Sequence, residues 1–293
     1  MIIKNLYNKR KTVVSFEIFP PKKGTGTLES ITNKLEGFSR LKPDFISVTY
    51  GAGGSTSGNT CAIAGKVKNE FKIESLAHIT CLSSTRDDIV TVLDNLKKNN
   101  VKNILALRGD APLEGLKGDN LHFRYASDLV AFIKKHYGDD FSIGAACYPE
   151  GHIESRSLSQ DISNLKTKVD QGVDFLISQL FYDNEQYYAF LDKTAAAGIR
   201  VPISAGIMPV VNAKQIHNIV TLCGASLPRK FIRILDKYEN NPEALMEAGI
   251  MYAIDQIIDL ATSDVDGIHI YTMNRPDVAT KIMENISHIL KRS

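Results

Sequence analysis

Residues 103–112 read NILALRGDAP, an apolar run that ends abruptly in an arginine, a glycine and an aspartate. The first five residues have the pattern of a buried β-strand. Arg108 offers a planar fork of donors, Gly109 permits close approach of a ligand or a neighbouring backbone, and Asp110 adds a carboxylate. The stretch indicates either a strand that delivers polar groups to a binding site or a solvated turn with a surface ion pair.

Similar apolar runs alternate with segments of helical periodicity along all 293 residues. Runs such as FLISQLF and IGAACY are apolar on both faces, which is typical of parallel strands covered by helices. Predicted strands span residues 12–19, 44–50, 74–81, 103–107, 142–148, 174–181, 202–207 and 267–273. Predicted helices span residues 28–41, a segment ending at 71, 85–99, 123–137, 157–172, 184–198, 212–223, 228–238, 242–262 and a last segment ending near 290.

Eight βα units in a chain of this length favour a closed (β/α)8 barrel over a doubly wound sheet. A dinucleotide-binding doubly wound sheet would carry a glycine-rich loop after its first strand. Here that strand runs into Pro20 and Pro21, which cannot form such a loop. No linker or shift of composition marks a domain boundary, so we expect one α/β domain, a TIM barrel over residues 1–293.

Composition places the chain among soluble globular proteins, with 43% hydrophobic and 23% charged residues. A net charge of +2 without a basic run argues against a nucleic-acid partner. No window approaches the ~18 apolar residues of a membrane span, and the N-terminus lacks the apolar stretch of a signal peptide. The four cysteines are widely spaced, so we expect free thiols in a cytoplasmic protein.

Polar side chains stand at most of the predicted carboxyl ends of the strands, where the chemistry of such barrels collects. Each one has an ordinary explanation, such as a rim ion pair or a hydrogen-bonded core histidine. Together they predict a small-molecule site, because stability alone does not require a ring of polar groups at one barrel mouth. They are Glu17, Thr49, Tyr50, His78, Arg108, Asp110, Tyr148, Gln179, Thr272 and Arg275.

Glu17 is the candidate general acid of this set. It lies between Phe16 and Ile18 in an apolar strand, and we expect these neighbours to desolvate it. Desolvation raises the pKa of a carboxyl group toward neutrality, as proton donation at pH 7 requires. No metal is predicted: His78 and Cys81 point to opposite faces of one strand. The H-x-E of residues 152–154 lacks the P-C-x-x-C of zinc deaminases.

Seven stretches, in this order, resemble the methylenetetrahydrofolate reductase family, whose catalytic domain is a (β/α)8 barrel. They span nearly the whole chain, and the chain resembles the short bacterial type, without the C-terminal regulatory domain of the animal enzymes. The stretches are SFEIFPP (15–21), VTYGAGG (48–54), ALRGD (106–110), YPEGH (148–152), QLFYD (179–183), GIMP (206–209) and YTMNR (271–275).

The resemblance implies a tightly bound FAD and a ping-pong reaction. NADH, or NADPH, reduces the flavin and leaves; 5,10-methylenetetrahydrofolate then accepts the hydride and becomes 5-methyltetrahydrofolate, which feeds methionine synthesis. By the family pattern, Glu17 protonates the departing folate nitrogen, and Asp110 tunes the flavin and binds folate. Gln179, Gln215 and Arg275 are further implied substrate contacts.

The resemblance also implies the flavin-binding positions. Arg108 and Lys168 suit the diphosphate, whereas Asp161 and Asn164 suit ribityl or ribose hydroxyls and share one helix face with Lys168. The full set is Thr49, Tyr50, Ala52, His78, Arg108, Gly109, Tyr125, Ala126, Tyr148, His152, Asp161, Asn164 and Lys168. Two positions depart from the family pattern: Thr167 replaces an expected arginine, and Ile219 replaces an expected aromatic that stacks on folate or nicotinamide.

Three rival functions are open. A cobalamin- or zinc-dependent methyltransferase would need a metal or thiolate cluster at the strand ends. A flavin-binding subunit reduced by an iron–sulfur partner protein would use the same site without NADH. A catalytically silent scaffold is disfavoured because Glu17, Asp110 and Gln179 are all present. We expect a homo-oligomer that binds neither nucleic acid nor membrane.

Overall fold

The protein forms a closed barrel of eight parallel strands. A computed structural model describes residues 2–9, 11–21, 27–50, 57–110 and 122–291. Each strand pairs with its neighbours in sequence, and the first pairs with the last. The strands are β1 (Val13–Ile18), β2 (Phe45–Val48), β3 (Glu74–Thr80), β4 (Asn103–Leu107), β5 (Ser142–Cys147), β6 (Phe175–Ser178), β7 (Ile203–Ile207) and β8 (Gly267–Tyr271). The predicted (β/α)8 barrel is confirmed.

Helices follow the strands and cover the barrel from outside. Side chains cap their amino ends: Thr85 and Asp88 form a capping box, and Ser157 accepts a bond from the backbone of Gln160. The helices are α1 (Leu28–Arg40), α2 (Ser57–Asn69), α3 (Arg86–Lys98), α4 (Ala126–Tyr137), α5 (Leu158–Asp170), α6 (Asn184–Ala196), α7 (Ala213–Cys223), α8 (Arg229–Tyr238), α9 (Pro242–Thr262) and α10 (Pro276–Ile286). In the described chain, no helix has both the length and the apolar character needed to cross a bilayer.

Alternation along the strands separates two sets of side chains. Phe16 of β1 points outward and packs on Phe38 of α1, with ring centroids 5.7 Å apart. Ser15 points inward, where its hydroxyl lies 2.7 Å from Nδ1 of His269 in β8. The outward set forms the apolar layer between barrel and helices, and the inward set includes polar residues that reach the barrel axis.

The amino-terminal end of the barrel is filled by a segment of two 3-10 turns over residues 3–9. Ile3 is completely buried there, and its backbone N–H donates to Oδ1 of Asn103 at 2.7 Å. The hydroxyl of Tyr7 lies 2.8 Å from Oγ of Ser204. This packing closes one end, so ligand access is from the carboxyl ends of the strands.

Candidate active site

A cavity of about 600 Å³ opens beside the carboxyl ends of β4 and β5. The start of α4, the loop after β5 and one face of α5 complete its walls. Eight of the flavin-binding positions implied by the resemblance line this single cavity: Arg108, Tyr125, Ala126, Tyr148, His152, Asp161, Asn164 and Lys168. Residues distant in sequence therefore meet at one site, and Arg108 and Tyr148 are the predicted polar strand-end residues in its lining.

The helix α5 contributes Asp161, Asn164 and Lys168 from one face, as their spacing predicted. Nζ of Lys168 donates to the carbonyl of Ala146 at 2.6 Å, and within the described ranges no carboxylate forms an ion pair with it. Partial burial lowers the pKa of the Lys168 ammonium. A cation that donates to a carbonyl beside a cavity suits an anionic ligand group.

Arg108 reaches across the cavity mouth to Glu154 in the loop after β5. Nη1 and Nη2 each donate to one carboxylate oxygen at 2.6 Å, which is a bidentate fork. This bond raises the pKa of Arg108 and lowers that of Glu154. Glu154 was not predicted as a site residue from the sequence. The one pattern that contains it is the H-x-E of residues 152–154, which is a metal-site motif and does not indicate an ion pair with Arg108. Among the described residues, no cluster of three or more His, Cys, Asp or Glu side chains could hold a metal ion.

The loop that carries Glu154 is fixed by local contacts. The rings of Tyr148 and His152 meet edge to face at 4.7 Å, and Nδ1 of His152 accepts the N–H of Glu154 at 3.1 Å. Oγ of Ser155 donates to Asp161 at 2.9 Å, which ties the loop to α5. Burial raises the pKa of Tyr148 to about 12, so its phenol is a neutral hydrogen-bonding group at pH 7.

Glu17 lies deeper, inside the barrel. Its Oε2 is 3.5 Å from Oγ of Ser47, 3.6 Å from Nε2 of His78 and 3.6 Å from Nε2 of His269. Each imidazole bonds a serine: His78 bonds Ser47 and His269 bonds Ser15, both at 2.7 Å. Two serine–imidazole pairs thus converge on one carboxylate oxygen.

Glu17 is buried as expected, with 7% of its surface exposed, but the expected cause was wrong. Successive side chains of a strand point to opposite faces, so Phe16 and Ile18 face the helices and cannot enclose the carboxylate. The inward residues of β2, β3 and β8 enclose it instead. Residue spacing within one strand could not reveal these neighbours, because barrel closure brings them together.

His78 lies beside Glu17 rather than in the lining of the cavity. Only 6% of it is exposed, and burial lowers its pKa to about 4, against the opposing effect of Glu17. The imidazole is therefore neutral at pH 7. The implied flavin positions Thr49, Tyr50 and Gly109 also lie outside the cavity lining, although they stand at the carboxyl ends of β2 and β4. Ala52 lies outside the described residues.

Two of the implied substrate residues, Gln179 and Arg275, form hydrogen bonds to residues one or two positions away in sequence. Oε1 of Gln179 accepts the N–H of Leu180 at 2.9 Å. Arg275 holds Asp277 in a bidentate pair at 2.9 and 2.6 Å. Asp110 is exposed at the end of β4, and the side chain of Gln215 lies outside the described part of the chain.

The two departures from the family pattern have different surroundings. Thr167 lines the cavity, and its hydroxyl donates to the carbonyl of Ser163 at 3.1 Å. A threonine at this position does not supply the positive charge of the expected arginine. Ile219 packs on the apolar cluster that includes Met208 and Ile216. Its side chain contributes apolar surface beside β7 but no aromatic ring.

This fold defines a (β/α)8-barrel protein, and the cavity beside the carboxyl ends of β4 and β5 is its candidate small-molecule site. The family model for methylenetetrahydrofolate reductase matches residues 2–287. The chain is 36% identical over 274 residues to the 5,10-methylenetetrahydrofolate reductase of Escherichia coli (strain K12), covering 93% of this chain and 90% of that protein. The chain belongs to the methylenetetrahydrofolate reductase family.

Longer relatives match as well. Methylenetetrahydrofolate reductase 1 of Schizosaccharomyces pombe is 36% identical over 284 residues, which cover 95% of this chain but 46% of that protein. The chain therefore spans about half the length of this eukaryotic relative. Among solved structures, a Clostridium thermocellum protein that binds two copies of 5-methyl-5,6,7,8-tetrahydrofolic acid superposes with a TM-score of 0.68 at 15% identity, covering 98% of this chain and all of that one. At that identity the likeness shows the shared fold.

Proposed function

We propose that this protein reduces 5,10-methylenetetrahydrofolate to 5-methyltetrahydrofolate with FAD as cofactor and NADH, or NADPH, as electron donor. The observation that carries the proposal is that one cavity is lined by eight of the positions to which the family resemblance assigns flavin binding. Family membership along nearly the whole chain supports the reaction. The product is a methyl donor suited to methionine synthesis.

The cavity residues fit FAD. Arg108 and Lys168 are cations for its diphosphate, Asp161 and Asn164 are partners for its hydroxyl groups, and Tyr148 offers a ring at the cavity wall. When bound, the flavin supplies the capacity to carry a hydride between two substrates. The loop contacts of His152 and Ser155 described above hold this lining in place.

Glu17 is the proposed general acid, which protonates the folate nitrogen that departs when the one-carbon bridge opens. Within the described ranges no lysine or arginine forms an ion pair with Glu17, and the neighbouring His78 is neutral at pH 7. The described groups nearest its carboxylate are the hydroxyl of Ser47 and the imidazoles of His78 and His269. Hydroxyl and imidazole groups can hydrogen-bond a carboxyl group and hold it in a fixed orientation, as the role of a general acid requires.

The remaining substrate contacts are proposed from the family pattern. Asp110 would bind the pterin, Gln179 the pterin or nicotinamide, and Gln215 and Arg275 the rest of the folate. Gln179 and Arg275 have to exchange their present bonds to Leu180 and Asp277 for bonds to substrate. The single catalytic domain over residues 1–293, the cytoplasmic location and the homo-oligomer stay predictions.

The test is the visible spectrum of the purified protein, followed by anaerobic addition of NADH and then of methylenetetrahydrofolate. We expect a flavin band near ~450 nm that bleaches with NADH and returns with folate. A flavin that neither NADH nor NADPH reduces, but that an iron–sulfur protein reduces, would support the partner-fed subunit instead. A protein that cannot be loaded with FAD would overturn the proposal.

A further inference from the structure

Ser47 of β2 is the one hydroxyl group that contacts both an imidazole and the carboxylate of Glu17 in the described barrel interior. Ser47 and Glu17 are register partners across β1 and β2, so both side chains face inward. Ser47 is completely buried, and Oγ lies 2.7 Å from Nε2 of His78 and 3.5 Å from Oε2 of Glu17. Neither composition nor the family pattern assigned a role to it.

The donors in this group can be counted. A neutral imidazole has one N–H, and a hydroxyl group donates one hydrogen and accepts others. If Nε2 of His78 carries the hydrogen, it donates to Ser47, whose own hydrogen is then directed to Oε2 of Glu17. This gives a chain of donors from His78 through Ser47 to Glu17, and it leaves the other carboxyl oxygen, Oε1, outside the chain.

We propose that Ser47, held by His78, is the positioning residue of the general acid: it donates to Oε2 of Glu17, so that Oε1 is the oxygen that carries the proton to the folate. The inference deepens the proposed function and rests on the role of Glu17 in it. It also explains why His78 lies beside Glu17 instead of in the cavity lining.

The second serine–imidazole pair has a different arrangement. Ser15 bonds Nδ1 of His269 at 2.7 Å. The atom of this pair that lies nearest Glu17 is Nε2 of the imidazole, at 3.6 Å, and this nitrogen has no hydrogen-bond partner among the described residues. The carboxylate therefore meets the hydroxyl of Ser47 together with Nε2 of His78 on one side, and Nε2 of His269 without its serine on the other. Within the described part of the chain, the titratable groups that face Glu17 are His78 from β3 and His269 and Tyr271 from β8.

The first experiment needs no turnover. The carboxyl carbon of Glu17 is followed by NMR against pH in FAD-loaded protein labelled with [13C]glutamate, and its signal is assigned by its loss in Glu17→Gln. A donor to a carboxylate favours the ionised form, so Ser47→Ala should move the titration midpoint up by about one pH unit. Ser47→Thr retains the hydroxyl and should restore it.

Ser204→Ala is the matched control, because Ser204 is also a buried inward serine but bonds Tyr7 at the amino-terminal end of the barrel. It should leave the midpoint unchanged. If Ser47→Ala does not retain FAD, Ser47→Cys, whose thiol is a weak donor, should show the same displacement. The inference would be overturned if the titration midpoint of Glu17 were unchanged in Ser47→Ala or in its substitute Ser47→Cys. It would also be overturned if Ser204→Ala shifted the midpoint equally.

The second experiment connects Ser47 to the reaction. Stopped-flow oxidation of the reduced flavin by methylenetetrahydrofolate should slow about tenfold in Ser47→Ala at low pH, and the decline in rate at high pH should begin about one pH unit later. Reduction of the flavin by NADH should be unaffected. A uniform loss of rate with no shift of the pH profile would indicate packing alone and overturn the positioning role. Wild-type protein that folate cannot oxidise would refute the proposed function, whereas the titration would still test the donation from Ser47.

Discussion

The two ends of the barrel use polar side chains in opposite ways. At the amino-terminal end, three carboxylates each accept the backbone N–H of a strand at close distance. These bonds join Asp44 to Val14 at 2.8 Å, Asp174 to Ile143 at 2.8 Å, and Asp266 to Ile203 at 2.9 Å. Each of these carboxylates accepts a strand N–H at the amino-terminal end of the barrel, so these polar groups stabilise the fold.

At the carboxyl-terminal end the corresponding groups have longer or replaceable contacts. The carboxylate of Glu17 has neighbours at 3.5 and 3.6 Å, Lys168 has a carbonyl, and Arg108 has a mostly exposed carboxylate. Groups that retain bonding capacity at a cavity are available to a ligand. The comparison therefore separates residues whose loss should cost stability from residues whose loss should cost binding or catalysis.

The largest effect is expected from Glu17→Gln. The amide keeps the size of the side chain but cannot donate the proton of a carboxylic acid, so oxidation of the reduced flavin by folate should fall by about 10²- to 10⁴-fold. FAD binding and reduction by NADH should be retained. Stopped-flow absorbance measures both half-reactions, and Asp266→Asn, at the opposite end, is the control with the same chemical change. Normal folate turnover in Glu17→Gln would remove its role as the acid.

His78 should make the stability of the barrel depend on pH. Burial lowers its pKa to about 4, whereas an unfolded chain has the ordinary value near 6.5. The unfolded state therefore binds the proton first, and the free energy of unfolding should fall as the pH drops from 6.5 to 4, by about 3 kcal/mol in total. Urea unfolding from pH 4 to pH 7 measures this slope.

The control for that slope is a pair of variants. His78→Gln should remove this contribution, whereas His288→Gln, at an exposed position near the carboxyl terminus, should leave it in place. Equal slopes in wild type and His78→Gln would mean that the imidazole is not held neutral by burial. His78 would then stabilise the fold to the same extent at pH 4 and pH 7, as the carboxylates at the amino-terminal end are expected to do at neutral pH.

Lys168→Met should weaken FAD binding by about 10- to 100-fold, since a hydrogen bond from a charged group contributes about 1.5–3 kcal/mol. The methionine keeps most of the apolar stem of the side chain. The unfolding free energy of the apoprotein should not fall, because the lost bond is offset by removal of a partly desolvated charge. Fluorescence titration with FAD measures the affinity. Lys230→Met, at an exposed lysine of α8 paired with Asp255, should bind FAD normally.

The sequence predicted the fold well where local signals agree with the tertiary structure. The strand 103–107 and the helix 242–262 are confirmed end to end, the helix because Asn241 caps it and Pro242 begins it. The strand predicted over 174–181 was too long, since β6 ends at Ser178. The apolar run extends beyond the strand because Phe181 is buried outside the sheet. Its ring stacks on Tyr187 of α6, with ring centroids 4.9 Å apart.

The site was predictable to the extent that its geometry is local. Asp161, Asn164 and Lys168 share a face by helical spacing alone, and polar strand ends point to one mouth once the barrel is known. The pairing of Arg108 with Glu154 and the approach of His269 to Glu17 join segments far apart in sequence. Such contacts follow from barrel closure and loop conformation, which residue patterns do not encode.

Asp266→Ala tests the amino-terminal end. Removal of its carboxylate leaves the N–H of Ile203 without its acceptor, which should lower the free energy of unfolding by about 1–3 kcal/mol. FAD affinity and both half-reactions should be unchanged in the folded protein. Urea unfolding and FAD titration measure the two quantities, and Asp192→Ala, at an exposed position of α6, is the control. A loss of FAD affinity without loss of stability would contradict the division between the two ends.

The smallest effect is expected at the cavity mouth, from Glu154→Gln. The carboxylate of Glu154 accepts hydrogen bonds from both terminal nitrogens of Arg108, and its negative charge would oppose the approach of a diphosphate. The amide removes that charge and weakens the fork, so FAD should bind about two- to fivefold more tightly, with the gain largest at low ionic strength because salt screens exposed charges. Asp255→Asn, which makes the same change in the exposed pair with Lys230, should leave the affinity unaltered. Weaker binding in Glu154→Gln would show instead that the carboxylate orients Arg108 for the cofactor, and this contact would then belong with the fixed bonds of the opposite end.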